Sequence, residues 1–175
     1  DLSPRALDTL RGVAAICAED TRHTRQLLSH YGIEQTLIAL HEHNEAGLAE
    51  RIVARLQTGD SLALVSDAGT PLVSDPGFRL VAAARAAGIR ISPIPGPSAL
   101  TLALQLTGGF GLPVTFGGFV PKKAKKDFFA TVDSSKTFLF FDSKHDILHT
   151  LEFLQEQMGW GERRLVMLRE LTKTH

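Results

Sequence analysis

Four short clusters carry the residue types that do chemistry: Ala18-Glu19-Asp20-Thr21-Arg22-His23, His41-Glu42-His43-Asn44-Glu45, the stretch 66–77, and Pro95-Gly96-Pro97-Ser98-Ala99. Stretch 66–77 reads SDAGTPLVSDPG, with Asp67 and Asp75 set among residues that expose backbone. His23, His41 and His43 titrate near neutral pH when unperturbed, so any of them fits a general base. A carboxylate such as Glu19 or Glu42 fits the same role if burial raises its pKa. His41 and His43 form an H-x-H pair that two metal ligands could share. Lys122-Lys123-Ala124-Lys125-Lys126 is a basic run of the kind that neutralises phosphates.

Each cluster also has a plainer reading. Asp20 and Asp75 fit helix N-caps, and Asp75-Pro76 is a cap followed by proline at the first helical position. Gly69, Gly77 and Gly96 fit turns. The H-x-H pair occurs by chance, and the lysine run fits a solvated face. Arg22 and Arg25, three apart on a helix, fit a surface pair.

The elements that position these clusters follow from apolar spacing and punctuation. Helices are predicted from Pro4 to near Gly12, from Asp20 or Thr21 to Tyr31, and over 45–57, 78–87, 98–106, about 125–132 and about 145–158. Strands are predicted at 13–17, 36–40, 61–65, 90–94, 115–120, 136–141 and 164–169, and a loop at 108–113. Strands alternate with helices and several are continuous apolar runs, which is the signature of an α/β fold with largely parallel sheets. In such sheets ligands sit beyond the carboxyl ends of the strands. The four clusters fall at such ends, so parallel strands bring them to one rim. The proline-rich break near residue 95 divides the chain into expected domains 1–95 and 96–175.

Composition narrows the classes. The 175 residues are 43% hydrophobic and 22% charged, ordinary for a globular protein. Nineteen basic residues balance nineteen acidic ones, which speaks against a generic nucleic-acid binder but leaves room for a local basic patch. No apolar run reaches the roughly 18–20 residues that span a membrane, and no secretion signal is visible. The single cysteine, Cys17, lies in an apolar run and reads as a buried thiol. A cytoplasmic protein is the expectation. The sequence has no G-x-x-x-x-G-K-[ST] loop, no G-x-G-x-x-G after a strand and no G-x-S-x-G. Gly108-Gly109-Phe110-Gly111 fits none of these, so a P-loop hydrolase, a dinucleotide enzyme and an α/β-hydrolase are disfavoured.

Taken in order, "AEDTRHTRQLLSHYGI", "HEHNE", "ALVSDAGTPLVSDPGFRLV", "PIPGPSAL", "GFVPKK" and "RELTK" resemble the bacterial 16S rRNA ribose 2′-O-methyltransferase I family. The resemblance covers nearly the whole chain. It implies the tetrapyrrole-methylase type of S-adenosylmethionine (AdoMet) enzyme: two α/β domains, the cofactor in the cleft between them, and a homodimer. It implies a cofactor site at Ser66, Asp67, Ala68, Gly69, Pro71, Asp75, Pro97, Ser98 and Ala99, where small residues and backbone groups suit a flat adenosine. Glu19, Asp20, Arg22, His41 and Asn44 become the catalytic candidates, and His23, Arg25, Lys122, Lys123, Lys125 and Lys126 the RNA-binding ones, with no metal. The partner is 16S rRNA in the small ribosomal subunit, methylated at the 2′-hydroxyl of a cytidine in the decoding region.

The chain departs from that family in three places. The family's opening strand and T-P-I-G-N loop would lie upstream of Asp1, and the family continues beyond Lys173, so this is expected to be part of a longer protein. Phe141-Asp142-Ser143-Lys144-His145-Asp146 stands where the family has an aromatic-Glu-Ser-Pro-His-Arg run. Three rivals remain: a small-molecule tetrapyrrole methylase, a metal-dependent phosphohydrolase built on His41, His43, Asp67 and Asp75, and a non-catalytic RNA-binding assembly factor.

Overall fold

A computed structural model describes residues 1–107, 113–133 and 135–173. The expected loop at 108–113 lies outside these apart from Pro113. The chain forms two compact units, Asp1–Ser98 and Ala99–His175.

The first unit begins with α1 (Pro4–Gly12), whose Ser3 side chain accepts a hydrogen bond from the Ala6 N–H as the N-cap. β1 (Ala15–Ala18), α2 (Thr21–His30), β2 (Leu37–Ala39), α3 (Glu45–Gln57), β3 (Leu62–Val65) and α4 (Phe78–Ala86) follow. The strands form one parallel sheet in the order β2-β1-β3. β1 is central and buried along its whole length, which explains its unbroken apolar sequence. Its side chains alternate between two cores. Ile16 packs with Leu10, Val13, Leu28 and Ile33 beneath α1 and α2. Cys17 packs with Leu40, Ala49, Ile52 and Leu80 beneath α3 and α4. Burial pushes the Cys17 thiol up to about 11, against a weaker opposing pull from Arg55, as a structural thiol requires.

The second unit contains α5 (Ala99–Thr107), β4 (Val114–Phe119), α6 (Lys125–Ala130), β5 (Thr137–Phe141) and α7 (Ile147–Glu156). β4 and β5 pair in parallel. The core here is aromatic: the buried Phe129 ring lies 5.4 Å from Phe140 and 5.7 Å from Trp160, and Phe128 and Phe138 meet at 5.6 Å.

Two predicted strands are absent. Residues 90–94 and 164–169 pair with no strand among the described residues. Ile91, Leu165, Val166 and Met167 are exposed. An apolar run becomes a strand only where another strand supplies its ladder, and these runs have none. No helix of the described residues is long and apolar enough to cross a membrane.

Candidate active site

Because β1, β2 and β3 are parallel, the segments after Ala18, Ala39 and Val65 all leave the same rim of the sheet. Glu19, the His41–Asn44 turn and the 66–77 loop are thus gathered by topology. Side-chain contacts tighten the group. The Asp20 N–H donates to Asp67 Oδ1 at 3.2 Å, joining the β1 and β3 ends across 47 residues of chain. Burial holds the Glu19 carboxyl above its ordinary range, and the nearby charges of Asp67, Asp75 and Asp20 add to the rise. Asp75 is also raised, by burial first and then by Asp67, with a hydrogen bond from Ser66 opposing both. Glu19, Asp67 and Asp75 are therefore neighbours, and none of the three has a cationic partner among the described residues.

Asp20 behaves differently. It caps α2 by accepting the Arg22 N–H at 2.8 Å, and it receives the Arg22 guanidinium at 3.2 Å from Nε and 2.8 Å from Nη2. These bonds hold its carboxyl well below the usual range and raise Arg22 in return. Asp20 is thus a cap and an anchor for Arg22, and a poor proton acceptor. His23 and Arg25 lie exposed on α2. Arg25 also borders an open groove of about 730 Å³ with Leu28, Gly32 and Leu37, at the end of the sheet opposite the rim.

The turn after β2 is held by Asn44, whose Oδ1 accepts the His41 N–H at 2.9 Å and whose Nδ2 donates to Ala39 O at 3.0 Å. His41 Nδ1 is buried and has no hydrogen-bond partner among the described residues. The His41 and His43 rings stand 6.0 Å apart, edge to face. No three His, Cys, Asp or Glu side chains among the described residues are grouped to hold a metal ion.

The 66–77 loop is strained. Leu72 and Ser74 both take left-handed backbone angles (φ 73° and 67°), as do Gly69 and Gly77. For the non-glycine residues Leu72 and Ser74 this costs of order 1–3 kcal/mol each, and such angles persist where the surroundings enforce them, commonly at ligand sites. Gly77 closes the loop: at φ 118° a Cβ there would come within 2.5 Å of Leu64 Cδ2. It is Gly77, not Asp75, that stands at the N-cap of α4. Having turned to Ser66, Asp75 leaves the helix start uncapped by its own side chain.

Two residues outside the expected set complete the arrangement. Thr70 Oγ1 donates to Pro97 O at 3.1 Å, which brings the Pro95–Pro97 segment to the loop although no strand leads there. Glu45 is buried and accepts the Leu80 N–H at 3.0 Å. It caps α4 from the first turn of α3 and thereby ties the His41–Asn44 turn to the end of the loop. A threonine between glycine and proline signals a turn, but its partner 27 residues away is invisible in sequence. Ser98 ends the first unit, and Ala99 opens α5 of the second.

In the second unit Lys122, Lys123 and Lys126 are exposed, whereas Lys125 donates to buried Thr150 Oγ1 at 2.9 Å. Asp146 is held below its ordinary range, first by the Ser143 hydroxyl and then by Lys122, Lys125 and His145. The departing 141–146 run is therefore built into this unit's own strand-end cluster, where Asp142 Oδ2 is buried and unpartnered.

The sequence model of the tetrapyrrole (corrin/porphyrin) methylases matches residues 1–175. The chain is 57% identical over 99% of its length to "Ribosomal RNA small subunit methyltransferase I" of Xylella fastidiosa, strain Temecula1, and covers 64% of that protein. It is 48% identical to the protein of that name from Pseudomonas aeruginosa and 46% identical to that from Escherichia coli O157:H7, covering 99% of this chain and 62% of each relative. The chain thus spans a little under two thirds of the curated relatives it matches. Among solved structures, that of diphthine synthase superposes with a TM-score of 0.65 at 18% identity, over 90% of this chain and 67% of that one, which shows a shared fold.

Proposed function

The chain belongs to the tetrapyrrole (corrin/porphyrin) methylase family, and from that premise we propose that it is part of an AdoMet-dependent methyltransferase acting on small-subunit ribosomal RNA. The acceptor is the ribose 2′-hydroxyl of a cytidine in the decoding region of 16S rRNA, and the protein works as a cytoplasmic homodimer. The substrate class rests on the relatives' names and on the motif resemblance. The cofactor rests on the rim.

One observation carries the reading: Glu19, Asp67 and Asp75 lie close enough to feel one another's charge, and none has a cationic partner among the described residues. AdoMet supplies a methyl group on a positively charged sulfonium, and it also carries an ammonium. Such a ligand relieves the carboxylates' mutual repulsion, so the residues present fit it. Ser66, Ala68, Gly69, Thr70 and Pro71 offer backbone groups at the same loop, held against Pro97.

The chain's own residues then have distinct tasks. Glu19, which the chain delivers to the rim directly after β1, is the carboxylate assigned to take the 2′-hydroxyl proton. The buried Nδ1 of His41 and the Asn44-braced turn orient the acceptor ribose. Asp20 fixes Arg22 at the rim. Alignment of acceptor and donor supplies much of the rate in such a transfer.

The test is titration of the protein with AdoMet by calorimetry, followed by single-turnover methylation of small ribosomal subunits. Glu19→Gln should slow transfer roughly 10²–10⁴-fold even at saturating AdoMet. Absence of AdoMet binding would sink the proposal. An unchanged rate in Glu19→Gln would remove only its assignment as base.

A further inference from the structure

We infer that Phe119 is a stacking platform for an unpaired RNA base, set beside the lysines that take the flanking phosphates. The inference rests on the RNA reading above and extends it to a docking surface in the second unit.

The starting point is a break in register. β4 pairs with β5 regularly through Phe116 and then shifts before Phe119 pairs with Phe141. In an undistorted strand, residues three apart point to opposite faces. Here Phe116 and Phe119 both pack on Phe141, with ring centroids at 4.9 and 5.3 Å. The bulge has therefore turned Phe119 away from the face where Gly117 meets Phe128 and Phe138.

The sequence enforces this. A Cβ on Gly117 would lie 2.5 Å from Phe138 Cζ and 2.8 Å from Phe128 Cζ, so only glycine fits beneath those rings. Gly118 has φ 74°, the left-handed region that a bulge of this kind needs and that side chains resist. The consequence is an aromatic ring 57% exposed in a unit whose other strand phenylalanines are at least half-covered. Bulges recur where a side chain must be re-aimed, and exposing a phenylalanine has no stability benefit of its own.

What would cover it is set by charge. All seven lysines of the chain lie in the second unit, which carries ten basic and eight acidic residues, whereas the first carries nine arginines against eleven acidic residues. Lys122 follows Phe119 by three residues, at most roughly 11 Å of chain, and Lys123 and Lys126 are exposed beyond it. An exposed aromatic with a neighbouring lysine cluster is the arrangement that binds single-stranded nucleic acid, the ring stacking a base and the lysines taking phosphates. The rim of the first unit takes the acceptor ribose, but its carboxylates Glu19, Asp67 and Asp75 offer nothing that attracts the flanking phosphates, which the exposed lysines do. A protein partner would more naturally avoid a lysine-rich border, because lysine is depleted at protein interfaces.

Stacking and phosphate contacts are separable by salt. Binding of a short single-stranded RNA of decoding-region sequence, followed by fluorescence anisotropy from 50 to 200 mM salt, is the experiment, with melting curves as the check on folding. Phe119→Ala should weaken binding roughly 5- to 150-fold with the salt slope unchanged. Phe119→Trp should restore affinity, and its new indole emission should be quenched by the RNA. Lys122→Ala, Lys123→Ala and Lys126→Ala together should instead lower the slope, by up to about 2 if each takes one phosphate. Wild-type affinity in folded Phe119→Ala would overturn the inference while leaving the RNA reading intact. So would a loss seen only with intact ribosomal particles and not with naked RNA, which points to a protein contact. Failure of the wild-type protein to bind any RNA would overturn both.

Discussion

Glu19 illustrates how a functional residue is a stability problem for its own fold. Burial and three neighbouring carboxylates raise its pKa, and Asp75 is raised for related reasons. A carboxyl whose folded pKa exceeds its unfolded value binds more protons in the native state within that window. Stability therefore falls as pH rises from the unfolded pKa through the folded one, and the penalty is complete above both. Glu19→Gln and Asp75→Asn should each raise the melting temperature at pH 7, and the gain should shrink as pH falls toward 4. Thermal melts across that range check this, and a gain that persists undiminished at pH 4 would show that charge is not its source. Asp20 has the opposite sign, held ionised by Arg22, and is exposed enough that its loss should matter more to the start of α2 than to global stability.

At the scale of elements, the loop of residues 66–77 is anchored at both ends by side chains from elsewhere. Asp67 is bonded to the end of β1, and the first turn of α4 to Glu45. Since Gly77 offers no side chain to cap α4, the buried Glu45 carboxylate does so from α3. Glu45→Ala leaves the Leu80 N–H without an acceptor in a buried place and should cost roughly 1–3 kcal/mol. Glu45→Gln keeps an acceptor oxygen and should recover most of it. Urea titration of both variants checks this, and a glutamine variant that loses as much as the alanine would show that the carboxylate's charge, rather than an acceptor oxygen, holds the Leu80 N–H.

Across the whole molecule, zero net charge conceals a division. The first unit holds the carboxylate rim, nine arginines and no lysine, for a net charge of −2, and the second holds every lysine and a net charge of +2. RNA binding should consequently be salt-dependent despite the balanced composition, with the exposed lysines of the second unit the largest contributors. Arg22→Ala should leave the salt slope of RNA binding nearly unchanged, because Asp20 already neutralises that guanidinium. A slope reduced by Arg22→Ala as much as by the lysine substitutions would mean that the phosphate track crosses the first unit as well. Lys125 is expected to contribute least among the lysines, since it is committed to Thr150.

The α/β class, the two parallel sheets and most element bounds were legible in the sequence because they follow from local patterns. Glu45–Gln57 was predicted to the residue, since its apolar positions recur at helical spacing and Gly59 stops it. The convergence of Glu19, the His41–Asn44 turn and the 66–77 loop also followed, because parallel strands of a βαβ kind fix which ends share a rim. What local pattern could not supply was partnership. Residues 90–94 and 164–169 look like strands but find no ladder among the described residues, and Asp75-Pro76 looks like a cap but yields to Gly77. The bonds Glu45–Leu80 and Thr70–Pro97, and the bulge that turns Phe119 outward, join residues whose relation exists only after folding. Sequence periodicity encodes which face a residue occupies. Which group it meets there depends on distances between elements, and only the tertiary structure sets those.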